Sequence, residues 1–298
     1  MVTFVSGISI VCFAASYGVA FLFEISRLIF RSGLRGAAMV GFAAAGFMAH
    51  TLFLGWRAAT EQAVPLSSAF DWYLLAAWSL AAGYLWLTLA NPRTPVGLFM
   101  LPVVLGLICA AQWASREPFS QSPATQVWGA IHGIFNLLGS VAVAIGAVSA
   151  LMWLIQADRL GKKEPPIRGF RMPSLEKLAQ ITSRTAIIAA WATGAGFASG
   201  LVLNAVNRQR GLLDTVPWTD PVVVRMGALM VWLVIVAIVA RVMARSPHGS
   251  RRVAILSMIS FGLLVMSIVW GLLGNTRHGM PPQQVFRVHS ASRWVVHS

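Results

Sequence analysis

Three histidines stand where histidine can do chemistry in an otherwise apolar chain. His132 opens a long apolar run in VWGAIHGIF, His278 follows the last such run in GNTRHGMPPQQ, and His50 lies inside an earlier one. Imidazole titrates near neutral pH and is a ready metal ligand. An ionisable side chain in or beside a membrane segment is a functional candidate by default. The bland alternative for each is an interhelical hydrogen bond. Two neutral imidazoles facing each other suit the axial positions of haem iron, and the two propionates of haem suit guanidinium forks. Zinc would ask for a carboxylate or thiolate companion at compact spacing, and the sequence places none beside these histidines. The other three, His248, His289 and His297, fall in a basic connection or near the C-terminus and read as polar surface.

The chain that must position these residues has 298 residues, 57% of them hydrophobic and 11% charged. A soluble domain carries about 25% charged residues. Runs at 2–23, 36–56, 69–90, 95–107 continuing to 113, 127–156, 181–206, 222–240 and 253–273 are each apolar enough to cross about 30 Å of hydrocarbon. Backbone polar groups cannot go unsatisfied in lipid, so these runs must be helices. The expected fold is therefore an all-α polytopic integral membrane protein with about eight transmembrane helices, forming one transmembrane domain over 1–298. The first run has no Lys or Arg before it and reads as a retained helix rather than a cleaved signal. PSLEKLAQ reads as a short interfacial helix in the long basic connection at 158–179, and 281–298 as an exposed tail.

The net charge of +14 comes from 23 Lys and Arg against 9 Asp and Glu. No soluble basic domain is available to bind nucleic acid, so the charge is read as topology. Fifteen basic residues fall on the side of the odd-numbered connections and eight on the other. The positive-inside rule then puts the odd connections in the cytoplasm and both termini outside. His50 sits seven residues before Arg57, about 10 Å below the outer end of its helix. His132 and His278 fall at the same face. So do Arg57, Arg208, Arg210, Arg225 and Arg277, which gives the basic outer side a use as propionate partners. In PWTDP, Trp218 could cover a porphyrin face, with Asp220 beside it. Equally, Trp218 is an interfacial anchor and Asp220 a helix cap before Pro221 at the first helical position.

Several further residues read as structural. Asp71 complements the start of the third helix, and Glu24 with Arg27 forms an i,i+3 pair. Gly196 and Gly200 form a GxxxG packing motif. Cys12 and Cys109 read as buried thiols packed as small hydrophobes. No paired carboxylates within a span, nucleophile triad or phosphate-binding loop is present, so nothing in these residues by themselves points to an enzyme.

The stretches WGAIHGIFNLLGSVAVAIGAVSALMWLIQADRLGKK, PSLEKLAQITSRTAIIAAWATGAGFASGLVL, PWTDP and RRVAILSMISFGLLVMSIVWGLLGNTRHG, in that order over about 125–280, resemble the cytochrome c assembly family. This family comprises the CcsA/ResC/CcmC-type haem-handling membrane proteins, and the likeness is greatest to their eight-helix HemX-like branch. PLSSAFDWYLLAAWSLAAGYLW is similar to that branch's third helix. The resemblance implies non-covalent haem b held at the outer face of a bacterial inner membrane. His132 and His278 match the outer histidines and His50 a membrane histidine of some branches. An apocytochrome c and a periplasmic assembly protein are the implied partners, with membrane lipid around. The family's tryptophan-rich segment usually reads Trp-Trp-Asp-Pro-Lys-Glu. Here Thr219 replaces the second Trp, and Val222-Val223 replace Lys-Glu. Two alternatives stand beside haem handling for c-type cytochrome biogenesis. One is a HemX-like accessory or regulator of haem biosynthesis. The other is a small-solute transporter, which would need interrupted helices and a polar midplane site.

Overall fold

The computed structural model describes residues 9–26, 33–60, 68–91, 94–118, 123–163, 172–209, 216–243 and 246–273. They form eight helices and no strand: α1 (Ile10–Ser26), α2 (Gly33–Thr60), α3 (Ala69–Ala90), α4 (Gly97–Trp113), α5 (Pro123–Gly161), α6 (Leu175–Gln209), α7 (Pro221–Met243) and α8 (Pro247–Leu273). Six of them, α2, α3, α5, α6, α7 and α8, are long and apolar enough to cross a membrane. α1 and α4 are apolar helices of 17 residues, about 25 Å each. The all-helical, multi-pass membrane architecture read from the sequence is what the chain forms.

Helix–helix contacts sort the bundle into two sets of four. In the first, α1 packs on α2, α2 on α3, α3 on α4, and α4 returns to α1. In the second, α5 packs on α6, α6 on α7, α7 on α8, and α8 returns to α5. The sets meet where α5 touches α3 and α4. Buried residues recur every three or four positions, as Phe13, Tyr17, Ala20 and Glu24 do on α1, which puts them on one helical face. Outward positions carry large apolar residues such as Trp191 and Val242, the arrangement that suits lipid.

Side-chain pairings fix the antiparallel sense of successive helices. Phe13 of α1 stacks on His50 of α2, Arg57 of α2 pairs with Asp71 of α3, and the Phe70 amide of α3 donates to the Ser115 carbonyl just past α4. One end of the bundle therefore gathers the end of α2, the start of α3, the end of α4, the start of α5, the end of α6 and the start of α7. It is called the Asp71 end below.

Two sequence expectations are corrected. PSLEKLAQ is no separate helix but the first two turns of α6, which runs unbroken to Gln209. Ser174 starts it, accepting from the Lys177 amide at 3.3 Å. Buried Leu178 docks these turns against Ala150, Trp153 and Ala254. Neither Gly nor Pro stands between 175 and 193 to interrupt it. Cys12 and Cys109 are both exposed rather than buried. They face outward, where a thiol tolerates lipid as readily as protein.

Candidate functional site

His132 is on the second turn of the membrane span of α5, at the Asp71 end, and faces α6. Its Nδ1 is 2.8 Å from the Gly196 carbonyl of α6. A carbonyl only accepts, so Nδ1 carries the hydrogen, and a neutral ring then keeps its lone pair on Nε2. Ser199 Oγ donates to the same carbonyl at 2.8 Å. One turn along α5, Asn136 donates to the His132 carbonyl at 2.8 Å, and its amide nitrogen is 3.3 Å from each ring nitrogen. The i,i+4 spacing of His132 and Asn136 is what puts both on the α6-facing side.

Glycines let these polar groups in. A Cβ on Gly200 would fall 2.7 Å from His132 Nδ1, and one on Gly196 would fall 2.8 Å from the Asn136 amide nitrogen. Further along the same seam the roles reverse. Gly139 and Gly146 of α5 receive the hydroxyls of Thr193 and Thr185 of α6. The GxxxG motif is thus a close-packing device, as its spacing predicts, and its specific use is to seat His132 and Asn136. The neighbouring Gly133 is covered by the Trp72 ring of α3, so His132 stands where the two helix sets meet.

Asp71, one residue before Trp72, closes a capping box. Ser68 Oγ accepts from the Asp71 amide at 3.3 Å, and Asp71 Oδ2 accepts from the Ser68 amide at 3.3 Å and its hydroxyl at 2.6 Å. The other carboxylate oxygen takes the Arg57 Nε–H. Arg57 and Arg116 also lie over the Phe70 ring, at 4.8 and 4.9 Å. Arg57 is therefore engaged with Asp71, a pairing the sequence reading did not make.

The PWTDP corner connects α6 to α7 at the same end. Asn204 holds it by a reciprocal pair with Val216, donating to its carbonyl and accepting from its amide, both at 2.9 Å. Arg208 donates to the Val216 carbonyl at 3.2 Å and lies 5.1 Å over the Trp218 ring. Trp218 remains 46% exposed. Asp220 accepts from the Val222 amide at 2.8 Å ahead of Pro221, so the cap reading of Asp220 holds. Next, Arg225 donates from Nε to the Pro221 carbonyl at 2.7 Å and lies 5.4 Å over the Trp270 ring of α8.

His50 takes a different position. It is fully buried in the first helix set, stacked on Phe13 at 4.2 Å with Tyr17 edge-on at 6.1 Å. Its nitrogens lack a hydrogen-bond partner among the described residues. His132 and His50 thus belong to separate sets. His278, Arg277 and the proposed tail at 281–298 lie outside the described residues, as do Arg27 and Arg210.

Among the described residues no cluster of three His, Cys, Asp or Glu side chains could hold a metal ion. A cavity of about 10 Å³ at the centre of the second set, lined by Ala142, Gly146, Ala186, Leu233 and Ser257, is water-sized. A macrocycle has no room there. No family model matches the chain, and no curated protein is significantly similar to it.

Proposed function

We propose that the protein is a haem-binding membrane protein of c-type cytochrome biogenesis, presenting non-covalent haem b at the outer face of a bacterial inner membrane. The observation that carries this reading is the His132 ring. Its Nδ1–H is fixed on the Gly196 carbonyl, the outer-shell arrangement that orients a ligating imidazole and raises the basicity of its other nitrogen. His132 and His278 would hold the iron, Trp218 would cover the macrocycle, and arginines of the Asp71 end would meet the propionates. Haem supplies the iron chemistry. The chain's own part is to bind and orient it, and transfer to an apocytochrome falls to a periplasmic partner. The outer placement of the Asp71 end rests on the distribution of basic residues.

A second reading, a HemX-like accessory or regulator that senses haem without delivering it, is favoured by the PWTDP corner. There Asp220 is spent on a helix cap, and the Lys-Glu that follows in the resembling family is Val222-Val223.

The deciding experiment is the visible spectrum of detergent-purified protein supplied with haem, beside His132→Ala and His278→Ala. A Soret band present in wild type and lost or shifted in both variants is the expected result. A wild type with no Soret band sinks the haem reading. Given binding, cytochrome c maturation in a deletion strain separates delivery from sensing.

A further inference from the structure

The arginines of the Asp71 end are not equivalent. Arg57 is engaged with Asp71, Arg208 with the Val216 carbonyl, and Arg116 is exposed over Phe70. Arg225 differs. Its Nε is anchored on the Pro221 carbonyl at 2.7 Å, yet Nη1 and Nη2 are both sealed from solvent with no hydrogen-bond partner among the described residues. Trp270 of α8 backs the guanidinium plane at 5.4 Å. None of the described acidic residues pairs with the Arg225 fork. Asp220 caps α7, and Asp71 holds Arg57 and Ser68. Two terminal nitrogens carry four N–H donors on a group that cannot lose its charge. Sealing such a fork without an acceptor is unfavourable, and an oxyanion accepting two parallel N–H bonds is the partner it matches best.

We infer that Arg225, anchored on Pro221 and backed by Trp270, is an oxyanion-binding site at the start of α7 that takes a carboxylate or phosphate in bidentate fashion. Two sources can supply that group at a membrane surface: the phosphate of an anionic phospholipid, or the propionate of a haem. Only the second rests on the haem reading above.

The test uses full-length protein delipidated in detergent. One arm compares thermal stabilisation by phosphatidylglycerol with that by phosphatidylcholine. The other compares the affinity of protohaem with that of its dimethyl ester, which lacks free carboxylates, by absorbance titration. Wild type should prefer the acidic probe in one arm. Arg225→Gln should lose that preference by about tenfold or more, and Arg225→Lys, with charge but no fork, should lose part of it. If Arg225→Gln does not fold, Arg225→Lys decides. A wild type indifferent in both arms, or variants that keep the wild-type preference, overturns the inference. Failure to bind haem at all removes the haem reading and leaves the phospholipid arm to decide. Asp214 belongs to the connection between α6 and α7 and lies outside the described residues; a stability loss in Asp214→Asn that is non-additive with Arg225→Gln would assign the fork to an internal ion pair and overturn the inference as well.

Discussion

Gly200→Ala should destabilise the protein, while the same change at Gly194, six residues earlier in the same helix, should not. The added methyl at 200 would lie 2.7 Å from His132 Nδ1 and 2.8 Å from Cε1. Ordinary contact for a Cβ begins at 3.4 Å, so the ring must retreat by about 0.7 Å. Taken along the 2.8 Å bond to the Gly196 carbonyl, that retreat stretches the bond to about 3.5 Å, the limit of a hydrogen bond. Losing an interhelical hydrogen bond in a membrane costs about 1 kcal/mol. Overpacking a close seam costs about 1–3 kcal/mol. Replacing a helical glycine by alanine returns about 0.5–1 kcal/mol. The net expectation for Gly200→Ala is a loss of about 1–3 kcal/mol. Gly194 has nothing within 4 Å of its added Cβ. Gly194→Ala should therefore collect the helix gain alone, up to about 1 kcal/mol. Reversible unfolding in mixed micelles, titrated with SDS and followed by circular dichroism, measures both. If Gly200→Ala is as stable as Gly194→Ala, the seam does not set the His132 ring and the reasoning fails. His132→Ala in the Gly200→Ala background removes the clash, so the double variant should recover about 1 kcal/mol relative to additivity.

Arg57→Ala leaves Asp71, 1% exposed, without this cation. A loss of about 2–4 kcal/mol is expected, below the range of a fully buried pair because Arg57 keeps some exposure. The double variant with Asp71→Asn should recover most of it in thermal melts. Asn204→Ala removes both bonds to Val216, and exchange of the Val216 amide should rise about fivefold for each kcal/mol lost; an unchanged rate would mean the corner is held by something else. Ser260→Ala deprives the Trp232 indole N–H of its acceptor at 2.9 Å, a cost of about 1–2 kcal/mol in the same SDS titration.

How much of this is legible in the sequence follows from which interactions are local. The apolar runs, the placement of Asp71 at a helix start, the Asp220–Pro221 start and the GxxxG spacing are all set by residues within a few positions of one another, and each is readable. The register between helices is not. Nothing within α6 says that Gly200 faces His132 rather than Thr193, because that depends on how two cylinders settle together. Asn136 had a signal that went unused, its i,i+4 spacing from His132. So did Arg57 with Asp71, opposite charges on either side of a short connection at one membrane face. PSLEKLAQ was misread because polar composition marks where a helix leaves the apolar layer, not where it stops. Gly and Pro mark stops, and none stands there.

The two-set arrangement also orders the protein in time. A ribosome that has released residue 118 has delivered every contact needed for α4 to return to α1, including the seat of Glu24 against Gly97. α5 then enters the membrane beside a finished first set, already offered Trp72 as a neighbour for Gly133. Its contact with α8 cannot form until α8 itself has been made. During that interval α5 is held by α6 and the first set, without α8. The half of the molecule that carries the proposed ligand is the half that is completed last, on a template the first half provides.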